Sequence, residues 1–202
     1  MIRIDTLAII CALQSHGEHG AVVRLLTPEY GLLAGYAPGA RGRDKRAILI
    51  RGNRLSAVLQ ARSATQLPSL SCELVASIGP LLSEPLPALA LEWVTILTAT
   101  VLPEGHPYPR LYAALEGLLG AMLAAQGARD WMSALPRYEE LLLAELGYGR
   151  PSAQTAVNEG IDVIAELGRT GRQVEEHLLV DRRARIGGTR DRLLDRLTKA
   201  TG

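Results

Sequence analysis

The spacing of apolar residues changes once along this chain, at Gly79-Pro80, and that change limits the folds open to it. Before it, short apolar runs alternate with turn clusters, which is the signature of strands. Ile2, Ile4, Leu7 and Ile9 open a first run that ends in the polar cluster Ser15 to Gly20. Ala21 to Thr27 forms a second run and leads to Pro28-Glu29-Tyr30-Gly31, with glycine where a turn wants a positive φ. Leu32 to Tyr36 stops at Pro38-Gly39, and the runs Leu55 to Ala61 and Leu70 to Ile78 follow. Five short strands in under 80 residues predict a small barrel or sandwich, with an open sheet as the alternative.

Beyond residue 79 the period becomes helical. Leu86, Leu89, Trp93, Leu97 and Val101 recur at three- and four-residue steps, as do Leu111, Leu115, Leu118, Leu119 and Met122. Tyr138, Leu142, Leu143 and Leu146 make a third stripe, which Gly147 should stop, and Thr189 is placed to cap a last helix carrying Leu193, Leu194 and Leu197. The expected architecture is α+β in two domains: a β-rich unit over 1–78 and an all-α unit over 79–202. With no Phe and 4% aromatics, the core must come from Leu, Ala, Val and Ile.

Charge narrows the function classes. The chain has 22 Lys+Arg against 21 Asp+Glu, but the two signs are segregated. Residues 1–78 hold nine cations against five carboxylates, 79–181 hold six against fourteen, and 182–202 hold seven against two. An acidic helical body therefore lies between a basic β unit and a basic tail. The sharpest cluster is Gly39-Ala-Arg41-Gly42-Arg43-Asp44-Lys45-Arg46, with Arg51, Arg54, Arg62 and Arg24 elsewhere in the β unit. Glycine keeps such a loop pliable and Arg can hold a phosphate through two hydrogen bonds, so the eight are candidate DNA-binding residues. The bland reading of the same cluster is a solvated surface loop.

Catalytic and metal motifs are missing. No G-x-x-x-x-G-K-[ST] or G-x-S-x-G register occurs, which argues against ATP hydrolysis and an esterase-type nucleophile. His16 and His19 lack a third ligand at recognisable spacing, so a hairpin turn accounts for them better than a metal. The pairs Glu139-Glu140 and Glu175-Glu176 read as solvated helix faces, and no enzyme is expected. Cys11 and Cys72 cannot make a disulfide framework and read as buried reduced thiols, while no apolar run is long enough for a membrane span. Asp5 and the missing cleavage site argue against a signal peptide, so a cytoplasmic protein is expected.

A small five-stranded barrel with a basic loop fits an OB-fold, whose groove takes single strands. Only Tyr30 and Tyr36 offer rings for base stacking there, so backbone electrostatics should dominate. The run Gly17-Glu18 with Val22 to Leu32, the Ala40-Arg41-Gly42 loop, the block Arg137 to Tyr148 and the terminal Arg190 to Leu197 occur in an order and spacing that resemble the RecO family of bacterial DNA repair and recombination mediators. The resemblance implies an OB-fold over 1–78 and a helical domain over 79–202. It implies binding of single- and double-stranded DNA, strand annealing, partnership with RecR, and help in loading RecA. It also implies partnership with single-stranded DNA-binding protein; together with the apolar helix stripes this places that protein's acidic C-terminal tail on the helical domain, where Arg110, Arg129 and Arg137 are candidate carboxylate partners. Many members carry a four-cysteine zinc site after the L-G-[YF] helix. This chain has no cysteine beyond Cys72, so no zinc or other cofactor is expected. Without the resemblance, the residues would also suit a protein-interaction adaptor with an acidic helical docking domain and no direct nucleic-acid binding.

Overall fold

The computed structural model describes residues 1–63, 65–149, 163–180 and 183–201. The first five elements are strands β1 (Ile2–His16), β2 (Gly20–Thr27), β3 (Gly31–Ala37), β4 (Arg54–Ala61) and β5 (Ser69–Ala76), with a short helix α1 (Arg43–Ile48) between β3 and β4. They close into a barrel in the order β1-β2-β3-β5-β4, which settles the choice between barrel and open sheet. Closure depends on β1, whose register breaks between Ile10 and Ala12. The break bends the strand, so its first half pairs with β4 and its second half with β2. Gly31 takes the expected positive φ of 68°, directly against the backbone of His106, where a side chain would not fit.

Alternation along the strands sends Ile10, Val23, Leu25, Leu55, Ala57, Leu59 and Leu70 into the barrel. The opposite face of the same strands is apolar only locally. Ile9, Cys11, Leu26 and Leu32 point outward and join the core of the helices, so the barrel and the helical body share a packed seam. Buried Asn53 secures the barrel floor: its Nδ2 donates to Ile48 O (2.8 Å) and its Oδ1 accepts from Ile78 N (3.0 Å).

The helical body comprises α2 (Pro85–Val101), α3 (Pro109–Ala124), α4 (Ala134–Glu145), α5 (Val163–Leu178) and α6 (Arg183–Thr201). Proline opens α2 and α3, where its missing N–H costs nothing. Helix α2 is apolar nearly all round and is accordingly the central helix, touching β1, α3, α4 and α6.

Four expectations need correction. Residues 43–48 are helical rather than an open loop, because Ala40 and Leu49 on either side bury in the barrel core and Ile48 packs against it. Thr189 does not cap α6 but lies buried within it, its hydroxyl facing Glu92 (3.4 Å), since α6 begins at Arg183. Cys72 is half-buried where Cys11 is fully enclosed, because β5 meets β3 at a single pair, Tyr36 with Ser69. Glu139 does not sit on a solvated face. It is fully buried and accepts from Trp93 Nε1 (2.8 Å), Thr170 Oγ1, and Arg190 Nε and Nη2 (3.3 and 3.4 Å). Arg190 also donates to Leu167 O and stacks over Trp93 at 5.6 Å, and it crosses α5 at Gly171, where a Cβ would occupy the place of its guanidinium. One ion pair thus binds α2, α4, α5 and α6 together. The other carboxylates are ordinary: Glu140 pairs with Arg169, and Glu176 is exposed.

Candidate nucleic-acid interface

The barrel has two ends, and strand register assigns the cations between them. The β2–β3 turn end docks on the helices: Gly105 N donates to Leu32 O (3.0 Å), and Gly52, at the turn into β4, abuts Leu91. At the other end lie the β1–β2 turn, the exit of β3 and the β4–β5 loop. Ala21 pairs with Ala37, Tyr36 with Ser69, and Gln60 with Ser69, which brings those three connections together.

Arg41, Arg43 and Arg46 follow the exit of β3, and Arg62 follows β4, so they belong to this second end. All four are exposed, and none forms an ion pair among the described residues. Lys45 is less free: its Nζ donates to Pro38 O (2.6 Å) and fastens α1 back onto the end of β3. Helix α1, tied back by Lys45, carries Arg43 and Arg46.

Three of the eight candidates lie elsewhere. Arg24 projects from the outer face of β2 and is clamped by α2 and the loop after it, through Ala99 O and the Glu104 carboxylate (3.0 Å). Arg54 at the start of β4 pairs with Glu116 of α3. Half-buried Arg51 precedes Gly52 on the same docking side. Composition could not separate Arg24 and Arg54 from the loop cations, because the separating feature is the carboxylate opposite each one, Glu104 and Glu116.

The two thiols differ for the same geometric reason. Burial pushes Cys11 up to about 12. At Cys72 burial again raises the thiol, and the nearby Lys45 ammonium pulls it partly back. His16 and His19 flank the β1–β2 turn as a hairpin requires, with His19 beside Glu18 (3.8 Å). No three His, Cys, Asp or Glu cluster as a metal set among the described residues. The segment after Tyr148, where relatives' zinc site would fall, lies largely in 150–162, outside the described residues. Arg110 is paired with Glu145 (3.1 Å), whereas Arg129 and Arg137 are exposed. Neither of two surface cavities uses them. One of about 610 Å³ runs along Arg24, Ile96, Val101, Glu104 and Ile186; the other, about 240 Å³, lies between Ile78, Arg54 and Leu119. No described helix is long and apolar enough to cross a membrane.

A closed five-stranded barrel with a helix between its third and fourth strands, bearing a cationic end and docked at the other end on helices, defines an OB-fold protein with an appended helical body. Comparison with known sequences agrees. The family described as Recombination protein O N terminal matches residues 1–78. The DNA repair protein RecO of Gluconacetobacter diazotrophicus is 34% identical over 183 residues, covering 89% of this chain and 72% of the relative. Those of Paracoccus denitrificans and Rhodospirillum rubrum are each 36% identical, over 170 and 180 residues, covering 83% and 86% of this chain and 68% and 71% of the relatives. The chain belongs to the RecO family.

Proposed function

We propose that this protein is a DNA repair and homologous recombination mediator that binds single- and double-stranded DNA through the barrel end carrying Arg41, Arg43, Arg46 and Arg62. The observation that carries the reading is that these four cations are exposed and free of ion pairs among the described residues, on the side of the barrel away from its helical dock. Lys45 holds the backbone that presents them, while Arg24 and Arg54 are paired with Glu104 and Glu116, and Arg51 is half-buried on the docking side. Holding two strands by their phosphates screens their mutual repulsion and leaves the bases exposed, which is the physical requirement for annealing. Annealing, partnership with RecR, docking of the acidic tail of single-stranded DNA-binding protein on the helical unit, and aid to RecA loading complete the proposal; they rest on family membership.

The test is a titration of a fluorescent oligonucleotide at two salt concentrations, followed by an annealing assay with complementary strands. Affinity should fall steeply with salt, with little dependence on sequence. Salt-insensitive or absent binding would favour a protein-interaction adaptor instead.

A further inference from the structure

Strand β3 carries an aromatic residue that belongs to neither core. Its inward positions are occupied by Leu33, Gly35, which faces Leu59 and Leu70, and Ala37, so Tyr36 projects from the outer face of the barrel. There it forms a row with half-buried Val22 on β2 and exposed Gln14 on β1. The tip of the phenol lies on Gly20, so closely that a Cβ at that position would overlap the ring. His16 meets the ring edge-on, with centroids 5.8 Å apart and planes at 78°. The tyrosine is thus held by a glycine seat and an imidazole flank, yet stays half exposed. Helices seal the other end of this face, where Leu32 is buried among their side chains and Arg24 is clamped.

We propose that Tyr36 is a stacking platform for one unpaired nucleobase, and that a single strand crosses the β1–β2–β3 face at this row with its phosphates against the cations of the same barrel end. Three features favour a nucleic-acid strand as the occupant. The face is flanked by the two connections, β1–β2 and β4–β5, that border the ligand groove of an OB-fold. The unpaired cations Arg41, Arg43, Arg46 and Arg62 lie at that end and match a polyanion. The ring is preorganised, so stacking requires little further ordering of the side chain. A paired base inside a duplex cannot reach the platform, so Tyr36 should separate single strands from duplexes where the cations do not. The inference rests on the DNA-binding reading above and adds a base-contacting residue to it.

The experiment compares wild type, Tyr36→Phe and Tyr36→Leu in the full chain. Each is titrated at one fixed salt concentration with an oligothymidylate, with an abasic strand of equal length and with a blunt duplex. Tyr36→Leu should bind the oligothymidylate roughly 5- to 150-fold more weakly, the range expected for loss of one stacked base. Tyr36→Phe should stay near wild type, and all three proteins should bind the abasic strand and the duplex alike. A wild type that binds no DNA would sink the parent reading. A wild type that binds with the expected salt dependence, but whose oligothymidylate affinity is unchanged in Tyr36→Leu, would overturn the platform alone. Should Tyr36→Leu fail to fold, equal wild-type affinity for thymidine and abasic strands overturns the platform as well.

Discussion

Replacing Arg190 by methionine tests whether the buried ion pair is the fastening of the helical body. The substitution keeps much of the apolar bulk over Trp93 but removes two hydrogen bonds to Glu139 and one to Leu167 O. It leaves a carboxylate with no solvent exposure and no counter-charge. Breaking one side of a buried pair costs about 3–5 kcal/mol. Trp93 Nε1 and Thr170 Oγ1 still donate to Glu139 and offset part of that cost, so about 3 kcal/mol is expected. For a chain of 202 residues this lowers Tm by roughly 6–12 °C. Glu139→Gln should cost at least as much, because it strands a buried guanidinium beside a neutral amide. The double variant removes both charges, and its cost should fall short of the summed single costs by about 2 kcal/mol or more. Urea unfolding followed by circular dichroism gives all four corners of the cycle. Strictly additive costs, or single costs below about 1 kcal/mol, would refute the reasoning and make the contact incidental.

The remaining predictions concern the barrel. Changing Arg41, Arg43 and Arg46 together to alanine should reduce the slope of log affinity against log salt by about 2 for a single strand, with thermal stability unchanged; an unaltered slope in the folded variant would move the interface elsewhere. Arg24→Ala should do the reverse, leaving the slope alone while lowering stability by about 1–2 kcal/mol as measured in urea, because its partners are Ala99 O and Glu104. Cys72 should react with an aromatic disulfide in the native protein at pH 8, whereas Cys11 should react only on unfolding, and equal native rates would contradict the burial difference. Burial raises the Cys11 thiol from 9.0 to about 12, so the folded state holds its proton longer than the unfolded chain does. That contribution is complete below pH 9 and disappears as pH climbs from 9 toward 12, at about 1.4 kcal/mol per unit. The urea midpoint should therefore fall more steeply over this range in wild type than in Cys11→Ala.

The barrel was legible in the sequence because each strand announces itself locally. Ala21 to Thr27 and Leu55 to Ala61 are bounded by glycine, proline or charge, and the structure places strands on those bounds within a residue. Helices α2 to α4 were legible through their apolar steps. What escaped notice was polar and nonlocal. Glu139 is followed by Glu140 in sequence, and both look like solvent-facing residues until Arg190, 51 residues further on, is brought against the first of them. Helix α5 carries an apolar stripe, Val163, Ile164, Leu167, Val174 and Leu178, in which Thr170 and Gly171 fill the turn between Leu167 and Val174. Thr170 hydrogen-bonds Glu139, and Gly171 clears the path of Arg190. The stripe alone does not show that its small and polar turn is where a buried ion pair crosses.

The same nonlocality explains why eight basic residues in one barrel do not form one interface. A cation on a strand has a fixed direction, set by the alternation of side chains and by whatever lies across the sheet. Arg24 and Arg54 point toward the acidic helical body, and two of its carboxylates, Glu104 in the loop after α2 and Glu116 on α3, meet them. The segregation of charge therefore serves two purposes at once. Acidic helices draw in the barrel cations that face them and help to fix the docking of the two units. The cations they do not reach, Arg41, Arg43, Arg46 and Arg62, keep their charge toward solvent at the other end. A uniformly neutralised barrel would dock as well but would have no field left for a polyanion. Reversing Glu104 or Glu116 to lysine should accordingly weaken docking through repulsion of Arg24 or Arg54, read as a lower urea midpoint in the full chain.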